Sequence, residues 1–203
     1  MLRRMPHRFD DIRLNDLRER PLAKWSHFDP DVLPLWVADM DFPVAEPVRR
    51  AIRDYADGDL WGYPRHGGLP GVRETVCARM HDRYGWEVAP EQVLILPGIV
   101  AGLYGGVQAF ASHGEGVVAT TPVYPPFRAA AEAQGRTFQT ADLAETDDGF
   151  VLDEATLDAA IDPASRLLML CHPHNPTGRV FDERELEALA RRVVDHRLWV
   201  VSD

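Results

Sequence analysis

A chain of 203 residues, 45% hydrophobic and 27% charged, has the composition of a globular protein with one large domain or two small ones. Its formal net charge of −10 and isoelectric point of about 5.2 argue against a general affinity for nucleic acid or anionic membranes, because both require basic surface. No apolar run approaches the roughly 20 residues of a membrane-spanning helix, and Cys77 and Cys171 are too few for a disulfide framework, which predicts reduced thiols in a cytoplasmic protein.

The first 43 residues show no clear hydrophobic period and are rich in Pro and Asp. The basic N-terminus has no apolar segment behind it, so we expect no secretory signal. Residues 47–56 predict a short helix with Pro47 in its first turn, and residues 69–85 predict a second helix that ends at Gly85. The loop between these helices is dense in Gly and aromatic residues.

Short apolar strands then alternate with helices. The predicted strands are residues 93–96, 117–120, 137–141, 167–171 and 198–202. The predicted helices are residues 99–111, 126–134, 154–161 and 183–196. The last helix has a capping-box pattern, with Asp182 at its N-cap and Glu185 three residues later. This alternation predicts an α/β fold, a mostly parallel sheet with helices on both faces.

Ligands of such sheets bind at the carboxyl ends of the strands, and the unusual residues of this sequence gather there. They are a helix start with Gly98, Ile99 and Val100, followed along the chain by Tyr124, Asn175 and Asp203. Each also has a purely structural interpretation. These are a tight turn for the helix start, a packed loop aromatic, a turn former, and a cap for a following helix.

A metal site is an alternative, because Cys171, His172 and His174 are all ligand types. Ligands this close in sequence rarely complete a tetrahedron, and no partner pair is evident elsewhere. We therefore expect no metal and interpret the two histidines as loop residues.

Together, the residues at the strand ends fit a flat, phosphorylated heteroaromatic ligand such as pyridoxal phosphate. Backbone N–H groups at the helix start suit the phosphate, the Tyr124 ring suits the pyridine face, and the Asn175 amide suits the phenolic oxygen. The carboxylate of Asp203 would favour the protonated form of the ring nitrogen. A protonated ring withdraws electrons from a substrate carbanion, which is the basis of this cofactor's chemistry.

Two motifs, HNPTG at 174–178 and VVSD at 200–203, resemble the fold-type I pyridoxal-phosphate enzymes of the class I/II aminotransferase superfamily. Further motifs are similar to the MalY/PatB-type cystathionine β-lyases within it: LPLWVADMDFP (33–43), WGYP (61–64), TPVYPPF (121–127) and CHPHNPTGRVF (171–181). The resemblance runs from about Arg8 to Asp203 and covers the N-terminal half of such an enzyme. It implies a smaller-domain segment at 1–43 and an incomplete cofactor-binding α/β domain at 44–203.

The resemblance also implies roles for individual residues. Backbone amides at Ile99 and Val100 hold the phosphate, and Tyr124 stacks on the pyridine ring. Asn175 hydrogen-bonds the phenolic oxygen and lies at the substrate, and Asp203 pairs with the ring nitrogen.

Residues nearer the N-terminus receive roles in the same way. Tyr63 reaches the phosphate of the partner subunit in a homodimer, and Val37 lies beside the substrate carboxylate. Asp39 and Asp41 are expected to be structural, and the X-Pro bonds around Asn175 are expected to be cis.

The sequence departs from the superfamily in its lysines. The enzymes carry a Schiff-base lysine on a later strand and a C-terminal arginine for the substrate carboxylate, and both positions lie beyond Asp203. Lys24 is the only lysine in the sequence. We therefore expect no catalytic residue within these 203 residues and no activity from them alone.

The implied parent activity is α,β-elimination from a small sulfur amino acid such as cystathionine or cysteine, giving a thiol, pyruvate and ammonia. One alternative is an aminotransferase that uses the same cofactor. A second alternative is a truncated or decayed protein that binds a ligand or a partner without catalysis.

Overall fold

The computed structural model describes residues 11–59, 61–63, 68–147 and 149–203. Residues 1–10 of the predicted N-terminal segment and Pro64 of the WGYP motif lie outside these ranges. The chain forms two compact units, Met1–His66 and Gly67–Asp203. The predicted domain boundary after residue 43 rests on the resemblance and stays a prediction. In the described part of the chain, no helix is long and apolar enough to cross a membrane.

The first unit contains three helices in its described residues: α1 (Leu14–Arg18), α2 (Ala23–Ser26) and α3 (Glu46–Asp57). α3 confirms the first predicted helix, with a proline in its first turn. α1 and α2 fall in the region that shows no hydrophobic period, because helices of one turn are too short to display one.

The second unit carries the predicted alternation. Its helices are α4 (Val72–Tyr84), α5 (Ile99–Phe110), α6 (Pro125–Glu132), α7 (Glu154–Ala160) and α8 (Glu183–His196). Its strands are β1 (Gly116–Thr121), β2 (Thr137–Asp142), β3 (Ala144–Thr146), β4 (Gly149–Val151), β5 (Ser165–Leu170) and β6 (Trp199–Ser202). The capping box of α8 is confirmed by reciprocal 2.9 Å hydrogen bonds between Asp182 and Glu185. The antiparallel hairpin of β3 and β4 was not predicted.

The predicted strand at residues 93–96 is wrong. The backbone is extended at Val93, with φ −98° and ψ 117°, but within the described residues no strand pairs with it. Leu94, Ile95 and Leu96 are all exposed. An apolar run predicts burial, but a strand also needs a hydrogen-bonded neighbour, and the hydrophobic pattern does not identify one.

Strands β2, β1, β5 and β6 form a parallel sheet in that order, which confirms the predicted sheet type. β1 pairs with β2 on one side, and the chain later returns to place β5 on the other side. The strand order therefore reverses between β1 and β5. In open α/β sheets, ligands bind outside the carboxyl ends of the strands at such a reversal.

The hydrophobic core lies on both faces of the sheet, because successive strand residues point to opposite faces. One face packs against α5 and α6 through Val117, Ala119, Leu167, Met169, Leu103 and Phe127. The other face packs against α7 and α8 through Val118, Leu168, Leu157 and Leu189. Helices thus cover both faces, as the sequence predicts.

Candidate active site

The loops that follow β1 and β5 are hydrogen-bonded to each other at the carboxyl edge of the sheet. The Tyr124 N–H donates to the backbone carbonyl of Asn175 at 3.1 Å. Next to this contact, Nε2 of the His174 ring lies 3.2 Å from the Thr120 hydroxyl near the end of β1. The backbones of Tyr124 and Asn175 are thereby held side by side at the strand-order reversal, and both residues are exposed.

The end of β6 joins the same edge. The His172 N–H donates to the Asp203 carbonyl at 2.8 Å, and the Asp203 N–H donates to the Leu170 carbonyl at 2.9 Å. These bonds fix the Asp203 backbone beside the loop that follows β5, and Asp203 is exposed. Among the described residues, no hydrogen bond or ion pair engages the side chains of Tyr124, Asn175 or Asp203.

The direction of α5 follows from its packing on β6. Phe110, at the end of α5, contacts Trp199 at the start of β6, with ring centroids 4.9 Å apart. Gly106, about one turn earlier, lies so close to the strand that an added β-carbon would be 2.6 Å from Cγ2 of Val201. α5 therefore runs antiparallel to β6, and its N-terminus points toward the Asp203 end of the strand.

The start of α5 suits an anion. The first turn has no acidic residue, and within the described residues no side chain caps it. An added β-carbon at Gly98 would meet nothing within 4 Å, so the space beside this backbone is open. The first N–H groups of a helix lack intrahelical partners and carry the positive end of its dipole. The predicted phosphate contacts at Ile99 and Val100 are compatible with this geometry.

A turn from Cys171 to Arg179, called the Asn175 turn below, is closed largely by its own backbone. The His174 N–H donates to the Arg179 carbonyl and the Gly178 N–H donates to the His174 carbonyl, both at 2.7 Å. The Asn175 N–H donates to the Cys171 sulfur at 3.3 Å. Both X-Pro bonds of the turn are cis, which confirms that prediction: His172–Pro173 and Asn175–Pro176.

His174 lies in the loop between β5 and α8, as predicted, but it is buried, which the sequence pattern did not indicate. His174 is 1% exposed, and Nδ1 of its ring lies 2.9 Å from the Thr177 hydroxyl.

Burial raises the pKa of the nearby Cys171 thiol. A hydrogen bond from the Asn175 backbone N–H lowers this pKa in part, and the charge of Asp203 raises it further. In the part of the chain that the structure describes, no three His, Cys, Asp or Glu side chains are grouped to hold a metal ion.

The groups gathered at this edge match the chemistry of pyridoxal phosphate. The helix start offers N–H donors for a phosphate, Tyr124 an aromatic face and Asn175 an amide donor. Asp203 offers a carboxylate for a protonated ring nitrogen. The loops after β1 and β5, the end of β6 and one helix start thus present complementary groups to a ligand of this type.

The family model for aminotransferases of class I and II matches residues 30–203. The chain belongs to this family. The family is pyridoxal-phosphate-dependent, so the cofactor predicted from the sequence is the one that the family uses.

Relatives of known function and structure show the same similarity. The chain is 38% identical over 174 residues to cystathionine β-lyase PatB of Bacillus subtilis (strain 168), covering 85% of this chain and 44% of that protein. It superposes on the crystal structure of OvoB with a TM-score of 0.84 and 36% identity, covering 92% of this chain and 49% of that chain. Cystalysin from Treponema denticola, whose structure contains pyridoxal phosphate, gives a TM-score of 0.81, 30% identity and the same coverage. The chain therefore spans about half the length of these relatives.

In this family member, Lys24 holds a loop of the first unit. Its ammonium lies 2.6 Å from Oδ2 of Asp41 and 2.8 Å from the Asp39 carbonyl, and its side chain is 11% exposed. The Trp25 indole N–H donates to Oδ1 of Asp41 at 2.7 Å. Hydrogen bonds from Lys24 and Trp25 lower the pKa of Asp41. The predicted structural role of Asp41 is confirmed, and Asp39 contributes its backbone.

Val37 and Tyr63 also belong to the first unit. Val37 lies in the segment that Lys24 holds, and the neighbouring Trp36 donates its indole N–H to the Lys24 carbonyl at 3.3 Å. The Tyr63 side chain is fully exposed. The predicted contacts of Val37 with substrate and of Tyr63 with a partner subunit stay predictions.

The sequence analysis did not identify the buried groups that lie next to the exposed residues Tyr124 and Asn175. Thr120 and His174 join β1 to the Asn175 turn, and the Cys171 sulfur accepts the Asn175 N–H. A hydroxyl residue near the end of an apolar strand was the available signal for Thr120. Its partner is 54 residues away, and the sequence pattern does not reveal that pairing.

Proposed function

We propose that the protein containing this chain is a pyridoxal-phosphate-dependent carbon–sulfur lyase acting on a cystathionine- or cysteine-type amino acid. The products are a thiol, pyruvate and ammonia. The observation that carries the proposal is the hydrogen-bonded convergence of Tyr124, Asn175 and Asp203 at one sheet edge. The similarity to a cystathionine β-lyase supports this reaction within the family.

Each group of the second unit has one role in the proposal. The N–H groups of Ile99 and Val100 bind the phosphate, and Tyr124 lies against the ring face. The Asn175 amide donates a hydrogen bond to the phenolic oxygen. The Asp203 carboxylate accepts a hydrogen bond from the ring nitrogen and stabilises its proton.

When bound, pyridoxal phosphate supplies an electron-withdrawing ring that stabilises negative charge at the substrate α-carbon. Lys24 is unsuited to be the base that takes the α-proton, because its ammonium is paired with Asp41. We assign the base and the covalent amine to a lysine outside residues 1–203, and we expect these residues alone to be inactive. In this proposal Val37 faces the substrate carboxylate, and Tyr63 completes the partner's site in a cytoplasmic homodimer.

The test is to incubate the full-length protein with pyridoxal phosphate and cystathionine. Release of pyruvate and ammonia without an added keto acid supports the lyase. An amino group transferred to an added keto acid identifies an aminotransferase, the candidate that the family name favours. Cofactor binding without either reaction supports a non-catalytic binding protein.

The proposed dimer has a separate test. Light scattering of the full-length protein should give twice the mass of one chain. An active monomer would contradict the role proposed for Tyr63.

A further inference from the structure

The buried ring of His174 connects β1 with the Asn175 turn through both of its nitrogens. Nε2 lies 3.2 Å from the Thr120 hydroxyl, and Nδ1 lies 2.9 Å from the Thr177 hydroxyl. His174 is 1% exposed and Thr120 is 2% exposed, so the contact between them is shielded from bulk water, whereas Thr177 is half-buried. In a neutral imidazole one nitrogen donates and the other accepts, and a hydroxyl serves either role, so both contacts are satisfied together.

The surroundings of the ring favour its neutral form. Burial lowers the pKa of His174, a hydrogen bond with the Thr120 backbone raises it in part, and the nearby His172 lowers it further. The Phe181 ring lies 5.6 Å from the His174 ring and 5.7 Å from the His172 ring, measured between centroids. A neutral ring with two fixed hydrogen bonds and an aromatic neighbour has a defined orientation, as a rigid spacer requires.

The place of His174 in the chain ties it to the candidate site. His174 directly precedes Asn175, and the Asn175 carbonyl accepts the Tyr124 N–H at 3.1 Å. Tyr124 in turn follows Thr120 by four residues. The side-chain bridge and the backbone bond are therefore two adjacent cross-links between the same two segments.

The two exposed side chains depend on these cross-links. Among the described residues, no hydrogen bond engages the Asn175 amide or the Tyr124 hydroxyl. The distance between the Asn175 amide and the Tyr124 ring therefore depends on the position of the Asn175 turn relative to the end of β1. The buried His174 ring fixes that position through its contact with Thr120.

We propose that His174 is a positioning residue for pyridoxal phosphate: by bridging Thr120 and Thr177, it sets the spacing between the Asn175 amide and the Tyr124 ring. The inference rests on the proposed function, because it concerns the same cofactor site. Because His174 is buried, we assign its effect to the position of Asn175 and not to a contact of its own with the cofactor.

Two variants of the full-length protein test the bridge, Thr120→Val and His174→Leu. Each leaves a buried hydrogen-bonding group without its partner, so we expect the Kd for pyridoxal phosphate, measured by tryptophan fluorescence, to rise about tenfold. The absorption band of bound cofactor should shift in the same direction as in Asn175→Ala. His174→Gln, which retains a side-chain amide in place of the ring, should recover part of the affinity.

Ser165→Ala is the matched control. Ser165 is 2% exposed, like Thr120, and its hydroxyl donates to the Gln139 side chain at 2.7 Å, but it lies at the amino end of β5. We expect this variant to lower the Tm of the cofactor-free protein about as much as Thr120→Val does. Its Kd for pyridoxal phosphate and its absorption band should match those of the wild type.

A wild-type Kd and an unshifted band in Thr120→Val would overturn the inference, and so would equal weakening of binding by Ser165→Ala. If His174→Leu does not fold, Thr120→Val and Thr177→Val decide by the same criteria. If the wild-type protein does not bind pyridoxal phosphate, the proposed function fails and the inference with it. Normal wild-type binding with unaffected variants overturns the inference alone.

Discussion

The two edges of the parallel sheet use their polar side chains differently. At the amino edge, side chains hold the fold together. The Ser165 hydroxyl donates to Gln139 at 2.7 Å, and the Asp162 carboxylate accepts the N–H groups of Ala164 at 2.7 Å and Ser165 at 3.0 Å. Nε and Nη2 of Arg136 donate to the Ala111 carbonyl at 3.0 and 2.6 Å.

At the carboxyl edge, the exposed ends of the loops are joined through backbone groups, in the Tyr124–Asn175 and His172–Asp203 pairs. The buried His174 ring adds a side-chain bridge behind them. Among the described residues, these contacts do not involve the exposed side chains of Tyr124, Asn175 and Asp203. The comparison teaches that residue type alone does not mark a ligand site. A polar side chain is a better candidate for binding a ligand when other groups form the hydrogen bonds that hold its loop in place.

The largest expected effect is that of Asp203→Ala, which tests whether the Asp203 side chain serves catalysis and not the stability of the fold. Asp203→Ala in the full-length protein should lower kcat for elimination by about 10²–10³-fold, the size of effect seen when one preorganised electrostatic partner is removed. The Tm should stay within about 2 °C of the wild type, because no hydrogen bond or ion pair with the described residues engages the Asp203 side chain.

The control for that variant lies at the other edge. Asp195→Ala removes an exposed aspartate near the end of α8, next to the start of β6, and should leave kcat unchanged. Near wild-type turnover in Asp203→Ala would refute the cofactor role of Asp203. A large fall in Tm would show that the carboxyl edge depends on this side chain for stability.

At the amino edge the opposite outcome is expected. Arg136→Met removes a guanidinium that donates to backbone carbonyls and should lower the free energy of unfolding by about 1.5–3 kcal/mol, as for hydrogen bonds from a charged group. Arg128→Met is the control. Arg128 forms an exposed pair with Glu132, worth about 0.3–0.5 kcal/mol, and its guanidinium lies 4.6 Å from the centroid of the Phe138 ring, a cation–π contact worth about 0.5–1 kcal/mol at an exposed site, so we expect a smaller loss than for Arg136→Met. Urea unfolding measures both. Equal losses in the two variants would contradict the distinction between fold-holding and surface side chains.

Much of the sheet and of the candidate site was predictable from the sequence, because local sequence patterns determine local structure. The strands of the sheet were predicted because all-apolar runs bounded by helices suit a sheet covered on both faces. Asp203 was identified because it directly follows such a run, and Asn175 because it lies in the loop that begins where another such run ends.

Features that depend on pairing between distant segments were not predictable. Residues 93–96 have the apolar pattern of a strand, but they lack a neighbour in the described structure. The burial of the loop residue His174 was not predicted, because its partner Thr120 is far away in the sequence. Hydrophobic pattern reports how a segment would be buried, and the partner segment is set by the tertiary fold.

A smaller effect concerns the thiols. Cys171 is buried at the carboxyl edge, and its raised pKa keeps the thiol protonated, whereas Cys77 on α4 is partly exposed. Iodoacetamide should therefore modify Cys77 at least about tenfold faster than Cys171 in the native protein, because the thiolate is the nucleophile. Peptide mass spectrometry over time measures both rates, and Cys171→Ser identifies the slow site. Equal rates would mean that the Asn175 turn opens readily.

The smallest effect is a pH dependence at the amino edge. Hydrogen bonds from the Ala164 N–H and from Gln139 lower the pKa of Asp162 below the ordinary value of 3.8. A carboxyl whose pKa is lower in the folded state stabilises the protein above its unfolded-state pKa, and this contribution is lost as the pH falls through the folded-state pKa. In urea unfolding between pH 5 and pH 3, Asp162→Asn should therefore lose less stability than the wild type. An equally steep loss in the variant would show that Asp162 does not hold the amino edge through its charge, and the contrast between the two edges would be weakened.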